Sequence, residues 1–157
     1  MTLCPMTPEE KIAKLGLIIP DAAPPVGSYL NSTRSGNILH ISGGLPIIGD
    51  RKFLGKVPSE CDLETAQEAA RTALLTRLAV IKAEAGSLDQ VSQIVSLSGY
   101  VNAEPDFTAH PQVINGASDL LVEIFGDAGR HSRAAVGCSS LPLGVSVEIS
   151  LVVELKP

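Results

Sequence analysis

The chain has 157 residues, the length of about one domain, and 45% of them are hydrophobic while 18% are charged. This composition excludes a disordered chain, and no apolar run approaches the roughly 20 residues needed to span a bilayer. The net charge of −5 argues against nucleic acid as a partner, because proteins that bind RNA or DNA usually carry a basic surface.

The cysteines and the first residues of the chain bear on metals and cellular location. Cys4, Cys61 and Cys138 are far apart and show neither CxxC nor a Cys/His ligand spacing. A disulfide framework and a zinc site are therefore both unexpected. Residues 1–5 lack the basic and apolar regions of a secretion signal, so we expect a cytoplasmic protein with reduced thiols and no metal.

The N-terminal part predicts a short helix followed by a hairpin. Thr7, Pro8 and Glu10 fit a capping box with proline in the first turn, and Gly16 ends the helix after Leu15. Residues 28–33 and 38–43 are β-compatible and flank the turn residues at 35–37. Residues 51–57 predict a weaker third strand.

The C-terminal part predicts two helices and three strands. Asp62 caps the strongest helix, which ends at Gly86, and its apolar residues recur three or four apart on one face: Ala66, Ala70, Leu74, Leu78, Ile81 and Ala85. Residues 91–101 alternate, with one side formed by Val95, Leu97, Gly99 and Val101. A second helix runs from near Pro111 to Gly126 with an inward face of Val113, Ala117, Leu121 and Ile124. Strands at 133–139 and 145–155 close the chain.

The order β-β-β-α-β-α-β-β predicts a single α+β domain over residues 1–157, in which two main helices cover one face of a mixed sheet. Residues 1–23 form an N-terminal extension with the short helix. The last strand carries a strict apolar stripe on one face, and Ser146, Glu148 and Ser150 on the other. The uncovered sheet face must meet water or another subunit. We therefore expect an oligomer whose sites lie between subunits.

A few residues stand out as candidates for chemistry, and each also has a purely structural interpretation. Arg133 opens a strand, where an exposed arginine is usually only solvated. Glu148 lies within an apolar strand, where a carboxylate is costly to bury unless it is paired. Tyr29 is typical of a packing residue, and Asn115 of a solvent-facing helical residue. The Ser42-Gly43-Gly44 segment fits either a tight turn or a close backbone approach to a ligand.

Several motifs together resemble one family. The run Arg133-Ala-Ala-Val-Gly-Cys-Ser-Ser-Leu-Pro-Leu-Gly-Val-Ser-Val-Glu148 resembles the signature of the Rid (YjgF-type) reactive-intermediate deaminases, in which an arginine precedes a Leu-Pro turn and a glutamate lies in the last strand. Residues 25–29 are similar to its Gly-Pro-Tyr element, residues 38–46 to its Ile-Ser-Gly strand, and residues 114–115 to its Val-Asn pair. The resemblance covers residues 24–154.

The resemblance implies a chorismate-mutase-like fold assembled as a homotrimer, with clefts between neighbouring subunits. The implied activity is hydrolysis of 2-imino or enamino acids, such as 2-aminoacrylate, to 2-keto acids and ammonia, without a metal or organic cofactor. Arg133 would hold the substrate carboxylate, and Glu148 would orient a water for attack. The other implied substrate-binding positions are Tyr29, Ser42, Gly43, Asn115 and Ala135, with Gly43 and Ala135 acting through their backbone.

Departures from the family pattern indicate a divergent subgroup. Ala135 stands where Cys is common, Gly44 stands where Gln is frequent, and the N-terminal helix lies outside the usual core. Two alternatives remain open beside the deaminase. A non-catalytic sensor of small carboxylates on the same trimer would not need Glu148 near its anion. An endoribonuclease is opposed by the net charge of −5 and by the absence of a histidine pair.

Overall fold

The computed structural model describes residues 4–157. The first three residues of the predicted extension lie outside this range, and they include part of the segment in which a secretion signal would begin. The elements in chain order are α1 (Pro8–Lys14), β1 (Ser32–Ser35), β2 (Ile38–Gly44), β3 (Ile47–Ile48), β4 (Arg51–Lys52), α2 (Leu63–Ala85), β5 (Val91–Asn102), α3 (His110–Phe125), β6 (Ser132–Cys138) and β7 (Val147–Leu155). The main sheet has the order β1-β2-β7-β5-β6. Only β5 and β6 pair in parallel within it, which confirms a mixed α+β architecture.

Helices α2 and α3 pack against each other and against one face of this sheet, as the sequence predicts. Helix α2 begins after Asp62, whose side chain accepts a hydrogen bond from the Thr65 N–H at 2.8 Å, and it ends at Gly86. The four residues predicted to point inward from α3 are all fully buried. Strand β7 alternates between buried and half-buried residues, which leaves Glu148 on the sheet face opposite the helices, called the open face below. Within residues 4–157, no helix is long and apolar enough to cross a membrane.

Three details of the strands differ from the prediction. The first strand is Ser32–Ser35 rather than 28–33, because the chain before it forms a loop in which the Asn31 side chain donates to the Ala23 carbonyl at 2.7 Å. The predicted third strand at 51–57 is wrong. Only Arg51–Lys52 is a strand, and it pairs with Ile47–Ile48 in a separate small sheet.

The third difference lies in β5. Val95, predicted to lie on the same side as Leu97, is 38% exposed. The pairing of β5 with β7 shifts register between Ile94 and Ser96, so the bulged strand carries one extra residue there. Ile94 is the buried residue instead. Beyond the bulge, the predicted alternation holds.

Candidate functional site

Glu148 lies half-buried on the open face, in the middle of β7 and opposite Tyr100 of β5. On its other side, β2 bulges between Ile41 and Gly44, which brings Gly43 against the carboxylate. A Cβ atom at Gly43 would overlap Oε1 of Glu148, so the close approach requires glycine. Burial raises the pKa of Glu148 above its ordinary value, and the positive charge of Arg77 partly opposes the rise.

The loop that carries Tyr29 is tied to the same part of β2. The Ser42 hydroxyl donates to the Leu30 carbonyl at 2.6 Å, and the Ser42 N–H donates to the Asn31 carbonyl at 2.9 Å. Tyr29 itself is half-exposed. Four of the predicted site residues therefore lie in one region, and we call them the carboxylate group: Tyr29, Ser42, Gly43 and Glu148.

Arg133 lies elsewhere, at the start of edge strand β6 and facing α3. It pairs with the buried Leu97 of β5, which places its side chain on the helix side of the sheet. Its Nη1 donates to Asn115 Oδ1 at 2.7 Å and to Ser118 Oγ at 3.2 Å. Ala135 follows two residues later on the same side. The arginine group consists of Arg133, Ala135 and Asn115.

Two residues that the sequence prediction missed hold Arg133 in place. His131 is fixed with its proton on Nδ1, because Nδ1 lies 2.6 Å from the Gly129 carbonyl and must donate to it. Its Nε2 then accepts from the Ser118 hydroxyl at 2.9 Å, and Ser118 accepts from Arg133. Nε and Nη2 of Arg133 have no hydrogen-bond acceptor in the described part of the chain. A planar pair of donors is thus oriented and free for a carboxylate. The signal for Ser118 is its spacing three residues after Asn115, on one helix face.

The two groups do not meet within one chain. Glu148 pairs with Tyr100 of β5, and Tyr100 in turn pairs with Val136 of β6. Arg133 lies three residues before Val136 in the same strand. Two strand spacings across the sheet and three residue steps along it separate the two Cα atoms by about 14 Å. The two side chains also leave the sheet on opposite faces. One small substrate therefore cannot touch Arg133 and Glu148 of the same chain.

A cavity of about 250 Å³ borders the carboxylate group, and its lining includes a charged side chain that the prediction missed. Tyr29, Gly43 and Arg77 are among its lining residues. Arg77 projects from α2, where its Nη1 donates to the Ser42 carbonyl at 2.8 Å and its Nε donates to Thr76 Oγ1 at 3.3 Å. Its signal in the sequence is a charged residue at a core position of α2, between Leu74 and Ile81.

Residues 9–155 match the family described as "YjgF/chorismate mutase-like, putative endoribonuclease", and the chain belongs to this family. The resemblance found in the sequence motifs is thus confirmed. Among described residues, no three His, Cys, Asp or Glu side chains cluster in a way that could hold a metal ion.

Individual relatives match over nearly the whole chain. The protein TCP17 from Trypanosoma cruzi is 40% identical over 148 residues, which are 92% of each chain. A protein of unknown function from Agrobacterium tumefaciens is 38% identical with a TM-score of 0.87, and the match covers 95% of this chain and 92% of that one. A Shewanella oneidensis protein described as "a putative endoribonuclease" is 34% identical with a TM-score of 0.92, over 96% of this chain and 100% of that one.

Proposed function

We propose that this protein hydrolyses reactive 2-imino and enamino acids to 2-keto acids and ammonia, at sites between neighbouring subunits of a homotrimer. The observation that carries the proposal is the separation of Arg133 and Glu148 onto opposite faces of one chain. In a closed ring of copies, the arginine group of one subunit faces the carboxylate group of the next, so every interface completes one site.

Each half of the site supplies one chemical requirement. The free Nε and Nη2 of Arg133 grip the substrate carboxylate in a bidentate manner, and the bonds to Asn115 and Ser118 fix their direction. Glu148 accepts a hydrogen bond from the attacking water. Burial raises the pKa of Glu148 toward neutral pH, and a general base is most effective when its pKa lies near the pH at which it works.

The reaction needs only proton transfers beyond this positioning. The water oxygen bonds to the imine carbon as one water proton passes to Glu148, and Glu148 then passes this proton to the imine nitrogen to give a carbinolamine. The hydroxyl proton then moves through Glu148 to the nitrogen as the carbon–nitrogen bond breaks. Ammonia and the 2-keto acid leave. An imine is already electrophilic, so holding the carboxylate and one water in place supplies the main rate gain.

The position of Glu148 favours hydrolysis over simple binding. A site that only holds a small anion is weakened by a carboxylate beside it, because like charges repel. A half-buried carboxylate held against Gly43 is suited to accept a proton from an attacking water. The net charge of −5 also opposes binding of a polyanionic RNA chain.

The test is a coupled assay in which an amino-acid oxidase generates imines and semicarbazone trapping is followed with and without the protein. We expect Arg133→Lys and Arg133→Ala to lower kcat/KM about 10- to 100-fold, because a charge-assisted bidentate contact is lost. Glu148→Gln should lower kcat while binding of a small keto acid persists. Arg130→Lys is the matched control, since Arg130 contacts Asp127 at 3.5 Å instead. A parent protein that hydrolyses no imine contradicts the proposal.

A further inference from the structure

Arg77 is a buried cation that the proposed hydrolysis does not use. The residue is only 8% exposed, and burial lowers the pKa of its guanidinium, opposed by the nearby Tyr29 and Glu148. Placing a cation below the sheet surface is costly unless hydrogen bonds or an anion compensate it. Ser42 and Thr76 accept from Nη1 and Nε. They supply no negative charge.

The remaining nitrogen of Arg77, Nη2, is free to bind a ligand. Nη2 has no acceptor among residues 4–157, and no buried polar side-chain atom there lacks a hydrogen-bond partner. Nη2 is therefore not sealed in the protein, and Arg77 lines the cavity beside the carboxylate group. Apolar residues such as Val26, Leu45 and Ile47 form much of the wall, and no described acidic side chain lines it. An anion that enters would meet the Arg77 guanidinium, which has Glu148 as its nearby carboxylate, in largely apolar surroundings.

The backbone beside Arg77 is shaped to admit the guanidinium. A Cβ atom at Gly44 would overlap Nε of Arg77 and lie 2.5 Å from its Cδ. Gly44 is one of the departures from the family pattern, and the space that a side chain would fill there is taken by Arg77. The lack of a side chain at position 44 is therefore what lets the guanidinium lie there.

We propose that Arg77 binds a second carboxylate at the far end of the substrate, so that the preferred substrates are 2-imino dicarboxylic acids. This inference rests on the proposed function. Gly43 lines the same cavity as Arg77 and lies against the Glu148 carboxylate, so the cavity borders the reacting centre. The neighbour's arginine group would hold the carboxylate next to the imine carbon, and Arg77 would hold the distal one.

The experiment compares pairs of keto acids that differ only in the distal carboxylate. Calorimetry measures binding of 2-oxoglutarate against 2-oxopentanoate, and of oxaloacetate against 2-oxobutyrate. We expect the parent protein to bind at least one dicarboxylate about 10- to 100-fold more tightly than its monocarboxylate match, the size of a charge-assisted hydrogen bond. Arg77→Met should abolish this ratio. Arg71→Met, on the same helix but outside the cavity, should keep it.

Gly44→Ala tests the ratio of dicarboxylate to monocarboxylate affinity in a second way, because the added methyl group displaces the guanidinium without removing it. We expect the dicarboxylate preference to fall in this variant too. Equal affinities within both pairs for the parent protein overturn the inference, whether or not any variant folds. If dicarboxylates are preferred but no imine is hydrolysed, only the proposed function fails. If imines are hydrolysed without preference for dicarboxylic ones, only the role of Arg77 fails.

Discussion

Mixing two impaired variants should raise imine hydrolysis above that of either variant alone if each site is divided between neighbouring copies. Arg133→Ala removes the carboxylate grip and Glu148→Gln removes the proton acceptor, and the two positions lie about 14 Å apart on opposite sheet faces. Suppose both variants are unfolded together in equal amounts and refolded. A site is then intact only where an Arg133→Ala subunit supplies Glu148 and the adjacent Glu148→Gln subunit supplies Arg133. With random assembly into closed rings, about one quarter of the sites are restored.

The assay is imine hydrolysis by semicarbazone trapping, with each variant refolded alone as the baseline. The yield should peak at equal mixing and fall as either variant dominates. A control mixture of Arg133→Ala with Asn115→Ala should recover nothing, because both changes lie in the same half-site and Asn115 accepts from Arg133 at 2.7 Å. If the equal mixture stays at the baseline while each variant assembles normally, the division of the site between subunits is refuted.

Three further measurements test the fold, the charge state and the assembly. Gly116→Ala should lower the free energy of unfolding measured in denaturant. Helix propensity favours alanine by about 1 kcal/mol, but the Cβ atom of the new alanine would overlap the Gln67 carbonyl, and such overpacking costs about 1–3 kcal/mol. Glu148→Gln should raise Tm at neutral pH. Because burial raises the pKa of Glu148, the residue stabilises the fold fully below the ordinary glutamate pKa, and this stability is lost as pH rises through the folded-state pKa. A Tm gain that persists undiminished in acid contradicts this. Sedimentation should give three subunits of 16.4 kDa, and a clean monomer at micromolar concentration would contradict the shared site.

Local signals in the sequence predict the helices well. The capping box is present as expected, with the Glu10 N–H donating to Thr7 Oγ1 at 3.3 Å and the Thr7 N–H donating to Glu10 Oε2 at 2.8 Å. Both Gly86 and Gly126 end helices at the predicted positions. A helix start or stop depends on hydrogen bonds between residues a few positions apart, so a short stretch of sequence contains the whole cause.

Strand details depend on contacts that the local pattern does not contain. The bulge beside Val95 arises where β5 meets β7, whose residues are far away in the chain. Arg51–Lys52 pairs with Ile47–Ile48 rather than with a strand of the main sheet. The same limit applies to the site. Residue types at Arg133 and Glu148 suggest the chemistry, but their placement on opposite faces follows only from the sheet topology.

The packing of Gly44 against Arg77 means that the residue at position 44 decides where the guanidinium at position 77 can lie. A Cβ atom at 44 would overlap the outer part of the Arg77 side chain, so a larger residue there would move the guanidinium away from the Ser42 carbonyl. Relatives with arginine at 77 should therefore place its charge beside the cavity only where position 44 is glycine.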